Sequence, residues 1–112
     1  MNVESLTPRP DQREAFRRAQ TRFIPTESGC YVLATFAGEI IYIGLAKSLR
    51  RRFEQHLDTP EKTSPTKLGK AAFFYWLEYS NLKKLERSWM NAFISDEGAL
   101  PVLNKLYSPV SV

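Results

Sequence analysis

Two helical segments each place a charged or titratable side chain on the face that their apolar residues predict to be buried. In the first, residues 48–57, that face is formed by Leu49, Phe53 and Leu57. A turn of about 100° per residue puts His56 within this face and Arg52 at its edge. In the second helix Glu86 falls among the apolar positions, which are Leu82, Leu85, Trp89 and Phe93. A buried carboxylate is costly unless it pairs with a cation or binds a metal, so Glu86 predicts one of the two.

Simpler roles for the same residues stay open. A histidine in an apolar stripe is commonly a hydrogen-bonded core residue, and Glu86 could form an ion pair with Arg52. The helix phase also separates three consecutive arginines, because Arg50 lies on the opposite rim of the buried face and Arg51 points to solvent. The run "RRR" is therefore not one uniform basic patch.

A β-hairpin must precede the first helix. The stretches "GCYVLATF" and "IIYIG" are rich in strand-forming residues, and a turn at Gly38 and Glu39 connects them. Alternation along the second stretch places Tyr42 and Gly44 on one face and Ile41 and Ile43 on the other. The aromatic stretch "AAFFYWLEY" predicts a third strand.

Capping residues bound the helices. Ser48 is suited to cap the first helix, Ser80 to cap the second, and Gly98 lies just past its end. The apolar spacing in residues 11–23 predicts a further short helix near the N-terminus. The fold class is then α+β, with a three-stranded, mainly antiparallel sheet flanked by helices and an extra N-terminal helix. We divide the chain into a helical extension (1–27), a main domain (28–105) and a tail (106–112).

Composition excludes several classes of protein. One cysteine, Cys30, permits no internal disulfide, and with one histidine it cannot form a structural zinc site. No apolar run approaches the roughly 18 residues of a membrane span, and no signal peptide is visible, so we expect a cytoplasmic protein. A net charge of +4 is compatible with nucleic acid but is weak evidence for it.

Two short triplets resemble the signature of the GIY-YIG nucleases. They are Gly29-Cys30-Tyr31 and, after ten residues, Tyr42-Ile43-Gly44. The resemblance continues through positions that match Arg52, His56, Glu86 and Asn104 in the same order. It departs at Leu45, where many repair-type members have a lysine; Lys47 is nearby but faces differently.

The resemblance implies a divalent-metal-dependent endonuclease that hydrolyses DNA phosphodiester bonds. Glu86 would bind one Mg²⁺ or Mn²⁺ ion, and Arg52 would stabilise charge on the phosphate. A tyrosine would act on the attacking water; we favour Tyr31 as the base and Tyr42 as its positioner, with the reverse left open. His56 would assist proton transfer or hold phosphate. Structural support of the site is expected from Gly29, Gly44 and Asn104.

Cations around this site could hold the nucleic-acid backbone. We expect such contacts from Lys47, Arg50, Lys62, Lys67 and Lys70, and an extended track from Arg13, Arg17 and Arg18. Two alternatives to an independent nuclease remain: a catalytically silent nucleic-acid-binding module, and a nuclease subunit that needs a partner for substrate specificity. A protein partner or a homodimer is equally compatible with the sequence.

Overall fold

The computed structural model describes residues 1–104, and the expected tail at 106–112 lies outside them. In chain order the elements are β1 (Gln12–Ala15), β2 (Gly29–Ala34), β3 (Ile40–Ala46), α1 (Leu49–Leu57), α2 (Pro60–Thr63), β4 (Phe73–Glu78) and α3 (Leu82–Glu97), with 3-10 helices at Val3–Ser5 and Arg18–Phe23. The predicted hairpin is confirmed as β2 and β3. Its turn includes Gly38 with φ 88°, a left-handed conformation that glycine adopts readily.

The sheet has four antiparallel strands in the order β1-β4-β2-β3. Three of them are the predicted strands, and β4 lies beside β2 rather than at an edge. The fold class is therefore confirmed as α+β with an antiparallel sheet flanked by helices, and the strand number is larger by one.

The predicted N-terminal helix is wrong. Instead, Gln12–Ala15 forms β1, which pairs with β4, and only Arg18–Phe23 is helical, as a 3-10 helix. Pairing supplies hydrogen bonds to an edge that β4 would otherwise expose, and this tertiary gain outweighs the local helical pattern. Phe16 is buried while Phe23 is 51% exposed, so the two do not share an apolar face.

A register shift between Leu33 and Ala34 changes the side of the sheet to which the first residues of β3 point. Tyr42 pairs with Leu33 and Ile40 with Ala34, so Ile41 is an extra residue. As a result Ile41 packs on the same side of the sheet as Tyr31, and Ile40 packs with Ile43 on the other. The predicted grouping of Ile41 with Ile43 is therefore wrong.

A helix packs on each face of the sheet. One core cluster lies under α3 and includes Cys30, Val32 and Ile43, and the other lies under α1 and includes Tyr31 and Phe74. The expected extension 1–27 contributes to both clusters. Its buried residues are Val3, Leu6, Phe16 and Ile24.

Side chains cap both helices at their N-termini. The Ser48 hydroxyl accepts a hydrogen bond from the backbone N–H of Arg51, which confirms the first predicted cap. For α3 the cap is Asn81 rather than Ser80, because the Asn81 amide oxygen accepts from the N–H of Lys84. Gly98, with φ 76°, ends α3 as predicted. The two caps fix the helices that carry His56 and Glu86.

Candidate active site

Tyr31, Tyr42 and His56 meet on the face of the sheet that α1 covers. The ring centroids of the two tyrosines are 6.0 Å apart, and the His56 ring lies 5.4 Å from Tyr31 and 5.1 Å from Tyr42. The Tyr31 hydroxyl is 2.5 Å from Nε2 of His56. Residues from two strands and a helix thus form one polar cluster, as the sequence predicts.

Gly44 and Gly29 allow this close packing. A Cβ on Gly44, which pairs with Tyr31 across the strands, would lie 2.5 Å from the Tyr31 hydroxyl. A Cβ on Gly29 would lie 2.5 Å from the carbonyl oxygen of Leu77. Heavy atoms cannot approach so closely, so both positions require glycine for packing rather than to end a strand.

The two tyrosines differ in their access to solvent. Tyr31 is fully buried and its ring stacks on Phe74 with centroids 4.9 Å apart. Tyr42 is half-buried, and Nζ of Lys62 lies 4.8 Å from its ring centroid. A water molecule that approaches from solvent can therefore reach Tyr42 more directly than Tyr31.

Burial and neighbouring charges set the protonation states. Burial lowers the pKa of His56 to about 3, with the Lys62 and Arg52 charges adding to the effect, so the ring is neutral at pH 7. Burial raises the pKa of Tyr31 well above its usual value. Burial also raises the pKa of Tyr42, but a hydrogen bond with Tyr31 and the charge of Arg52 act in the opposite direction.

Arg52 lies between the tyrosines and a basic cavity. Its charge lowers the pKa values of both tyrosines. Its side chain also lines a cavity of about 330 Å³. The lining residues are Lys47, Ser48, Arg51, Arg52 and Gln55. Three cations and no carboxylate line this space, which makes it suited to an anion.

The sequence alone assigns no role to Arg51. It is exposed, as its helix phase predicts, yet it shares the cavity with Lys47 and Arg52. Lys47 precedes the Ser48 cap of α1 and Arg51 lies in the first turn, so helix spacing does not predict that the two side chains meet.

The other cations expected to bind the nucleic-acid backbone do not line the basic cavity. Arg50 is occupied, because its Nε donates to the carbonyl of Ile24 at 2.8 Å and its guanidinium also donates to the carbonyl of Arg22. Lys70 lines a different cavity with Phe36, and Lys67 is exposed in the loop before β4. The structure therefore joins Lys47 to the cluster but gives Arg50 a contact with the N-terminal segment.

Glu86 is 6% exposed and is carried by α3, which packs on the opposite face of the sheet from α1. Its charge raises the pKa values of Tyr42 and of Cys30, so it is close to both. Burial raises the pKa of Glu86 itself to about 7, with the charge of Arg87 opposing. Within residues 1–104 the Glu86 carboxylate has no ion pair or hydrogen bond, so the alternative ion pair with Arg52 does not form. The helical-wheel prediction that α3 buries this carboxylate is confirmed.

Cys30 and Leu45 lie on the α3 side of the sheet and take no part in the polar cluster. The Cys30 thiol donates to the carbonyl of Leu82 at 3.4 Å, and burial raises its pKa to about 12. Leu45, the position at which the resemblance leads one to expect a lysine, is buried in the core. Leu45 thus contributes to core packing and carries no charge. The cation nearest to it in the sequence is Lys47.

Asn104 holds the outer side of β3. Its amide oxygen accepts from the N–H of Ile43 and its amide nitrogen donates to the carbonyl of Ile43, both at 2.9 Å. These bonds satisfy the backbone of the residue between Tyr42 and Gly44. This is the geometry of a supporting residue.

The fold and cluster together define the class: a small α+β domain with polar residues gathered on an antiparallel sheet. A sequence model described as "GIY-YIG catalytic domain" matches residues 27–98, well over half of the chain. The chain belongs to the GIY-YIG family.

Curated relatives are similar over parts of the chain. The UvrABC system protein C of Bdellovibrio bacteriovorus is 32% identical over 102 residues, which cover 77% of this chain and 16% of that protein. The protein of the same name from Anaeromyxobacter dehalogenans is 46% identical over 35 residues, covering 31% of this chain and 5% of that protein. The chain thus spans a small part of the length of these relatives.

A solved structure has the same fold. It is the N-terminal endonuclease domain of UvrC from Thermotoga maritima, a point mutant bound to its catalytic divalent cation. The TM-score is 0.51 at 22% identity, over 77% of this chain and 91% of that one. At this identity the likeness establishes the fold.

Proposed function

We propose that this protein is a divalent-metal-dependent endonuclease that hydrolyses phosphodiester bonds of DNA. The observation that carries the proposal is that Tyr42 lies within electrostatic reach of both the Arg52 guanidinium and the Glu86 carboxylate. These side chains come from β3, α1 and α3, far apart in the chain. A proton acceptor thus lies within reach of a cation suited to phosphate and of a carboxylate suited to a metal ion, and phosphodiester hydrolysis needs these three groups.

Glu86 is the residue that would hold the metal ion. The Glu86 carboxylate, which has no ion pair or hydrogen bond within residues 1–104, suits Mg²⁺ or Mn²⁺, because these ions prefer oxygen ligands and usually keep several waters. No group of three or more histidines, cysteines or acids that could hold a metal occurs within residues 1–104. One carboxylate supports the binding of a single ion at Glu86. When bound, such an ion supplies positive charge to the phosphate and the leaving oxygen.

Tyr42 is the better placed of the two tyrosines to take a proton from the attacking water. Its ring is half-buried, whereas Tyr31 is fully buried with its hydroxyl against His56. We assign the neutral Nε2–H of His56 as donor to the Tyr31 oxygen, and the Tyr31 hydroxyl as donor to Tyr42. Each donation favours the ionised form of Tyr42, and the charge of Arg52 acts in the same direction, but burial raises the pKa of Tyr42 above its usual value. Tyr42 therefore gives its own proton to solvent before it takes one from the attacking water.

Arg52 and the basic cavity bind the phosphates. The planar guanidinium of Arg52 matches phosphate oxygens and stabilises the additional negative charge of the transition state. Lys47 and Arg51, which share the cavity with Arg52, contact an adjacent phosphate of the strand. These contacts carry no sequence information, so they contribute affinity that falls with salt concentration.

A cleavage assay tests the proposal. Purified protein is incubated with single-stranded, branched and duplex DNA in Mg²⁺ or Mn²⁺, beside Glu86→Gln and the control Glu54→Gln, which changes an exposed acid of α1. We expect cleavage by the wild type and by Glu54→Gln, and none by Glu86→Gln or in EDTA. Binding without metal-dependent cleavage of any substrate would instead identify a silent nucleic-acid-binding module.

The expected compartment is a separate matter. No helix within residues 1–104 is long and apolar enough to cross a membrane. We propose a cytoplasmic location, which fractionation of cells that express the protein would test.

A further inference from the structure

An exposed aromatic surface lies away from the polar cluster. Phe36, at the tip of the hairpin, is 83% exposed and stacks on Phe73 with centroids 5.8 Å apart at 30°. Phe73 in turn contacts Tyr75 edge-on at 6.1 Å, and the Arg13 guanidinium lies 4.4 Å above the Phe73 ring. We call Phe36, Phe73, Tyr75 and Arg13 the aromatic strip.

Strand register places the strip on the opposite face of the sheet from Tyr31. Tyr31 pairs with Trp76, so the side chains of these two residues share a face. Phe73 and Tyr75 alternate with Phe74 and Trp76 along β4, and their side chains therefore point to the other face. Arg13 pairs with Tyr75 and shares that face. The strip is thus a separate surface from the candidate active site.

Two cavities adjoin the strip, and each is lined by a cation that forms no ion pair within residues 1–104. Beside Phe36 a cavity of about 450 Å³ is lined by Leu68 and Lys70 among others. Beside Tyr75 a cavity of about 290 Å³ is lined by Arg9, Arg13, Glu4 and Asp11. Within residues 1–104, Lys70 and Arg13 form no ion pair with a carboxylate, whereas Arg9 is paired with Glu4 at 2.7 Å.

We propose that the aromatic strip binds single-stranded nucleic acid, with an unpaired base stacked on the outer face of Phe36 and neighbouring phosphates held by Lys70 and Arg13. An exposed aromatic ring between unpaired cations offers what a single strand presents, a flat π-face and regularly spaced negative charge. A duplex keeps its bases stacked inside and cannot use Phe36 in this way. The chain's net charge of +4 is compatible with such a polyanionic partner.

Binding of nucleic acid at the strip does not require cleavage, so it can be measured under conditions in which the proposed nuclease is inactive. Fluorescence anisotropy is measured in EDTA with the Glu86→Gln protein as background, using labelled dT15, rU15 and a 15-base-pair DNA duplex. Phe36→Ala is compared with Phe23→Ala, which removes another exposed aromatic from the segment next to α1. Melting temperatures of both variants are measured to check that they fold.

We expect Phe36→Ala to weaken binding of dT15, rU15 or both by roughly 5-fold or more, since one stacked base contributes about this much. Duplex affinity should be unchanged, Phe23→Ala should behave as the background, and Lys70→Gln should reduce the salt dependence. Unchanged affinity for both single strands would overturn the proposal. So would an equal loss for single strand and duplex, or a dimer in sedimentation that Phe36→Ala dissociates, because the strip would then be an interface between copies.

Discussion

The hydroxyl of Tyr31 lies 2.5 Å from Nε2 of His56, in a place where both residues are buried. This contact joins β2 to α1 and fixes the orientation of the chain's one histidine. It is possible only because Gly44 has no side chain where the Tyr31 ring packs. The two triplets, Gly29-Cys30-Tyr31 and Tyr42-Ile43-Gly44, therefore pack together with α1. The same contacts bring their polar side chains together.

The two tyrosines should respond differently to loss of their hydroxyl groups. Tyr42→Phe removes the proposed proton acceptor from a half-buried ring, so we expect kcat to fall about 100-fold or more with little change in stability. Tyr31→Phe leaves His56 without its buried partner and should lower the free energy of unfolding by about 1–2 kcal/mol as well as the rate. Single-turnover cleavage and urea unfolding measure both quantities. Full activity of Tyr42→Phe would return the role of base to Tyr31.

The His56 ring should remain neutral far below its ordinary pKa. Its pKa in the folded protein is about 3, against 6.5 for the free side chain, because burial disfavours the charged ring. Protonation thus favours the unfolded chain, and stability is lost as pH falls from about 6.5 towards 3. The imidazole ¹⁵N shifts, from a single histidine, should not change between pH 8 and pH 5. A titration midpoint near 6.5 would show that the ring is solvated.

Glu86 should reduce the stability of the metal-free protein. Its pKa rises from 4.5 to about 7 on folding, so the folded state holds the proton more tightly and stability falls as pH rises from about 4.5 to about 7. At pH 8 in EDTA, Glu86→Gln should therefore be more stable than the wild type, by about 1–3 kcal/mol. Added Mn²⁺ should raise the Tm of the wild type and not of the variant.

Glu54→Gln serves as the control in the same melts, because Glu54 is exposed on α1. It should match the wild type with and without Mn²⁺. A wild-type Tm that Mn²⁺ leaves unchanged, or raises equally in Glu86→Gln, would separate Glu86 from any metal.

The three consecutive arginines should differ when each is replaced by alanine. Arg52→Ala should abolish cleavage, because Arg52 is near both tyrosines. Arg51→Ala should raise KM and flatten the salt dependence with a smaller effect on kcat, since Arg51 only lines the cavity. Arg50→Ala should lower stability, because it removes hydrogen bonds to Ile24 and Arg22. Cleavage kinetics at several salt concentrations and thermal melts test this order, and equal effects would contradict it.

Much of the site could be predicted because helix phase is a local property. The buried positions of His56 and Glu86 follow from the spacing of apolar residues within α1 and α3. The strand β1 could not be predicted in this way, since its stability comes from pairing with β4, sixty residues later in the chain. The extra residue at Ile41 has the same origin, as a register shift is set by two strands together.

The division of labour between the tyrosines also required the structure. Both have the same side chain, and only their packing separates a fully buried Tyr31 from a half-buried Tyr42. Tertiary packing also places Lys62 over the ring of Tyr42 and Arg51 in the basic cavity, and neither position follows from the sequence alone. Sequence identified the chemical groups, and tertiary contacts assigned their exposure and charge environment.

The most direct test of the account is the position of a bound metal ion. Crystals soaked in Mn²⁺ would be measured at a wavelength where manganese scatters anomalously. We predict one anomalous peak at about 2 Å from a Glu86 carboxylate oxygen, on the side that faces Tyr42 and Arg52. Crystals of Glu86→Gln should lack it. A strong peak elsewhere with none at Glu86, or a peak that survives in Glu86→Gln, would contradict the proposed metal-dependent active site.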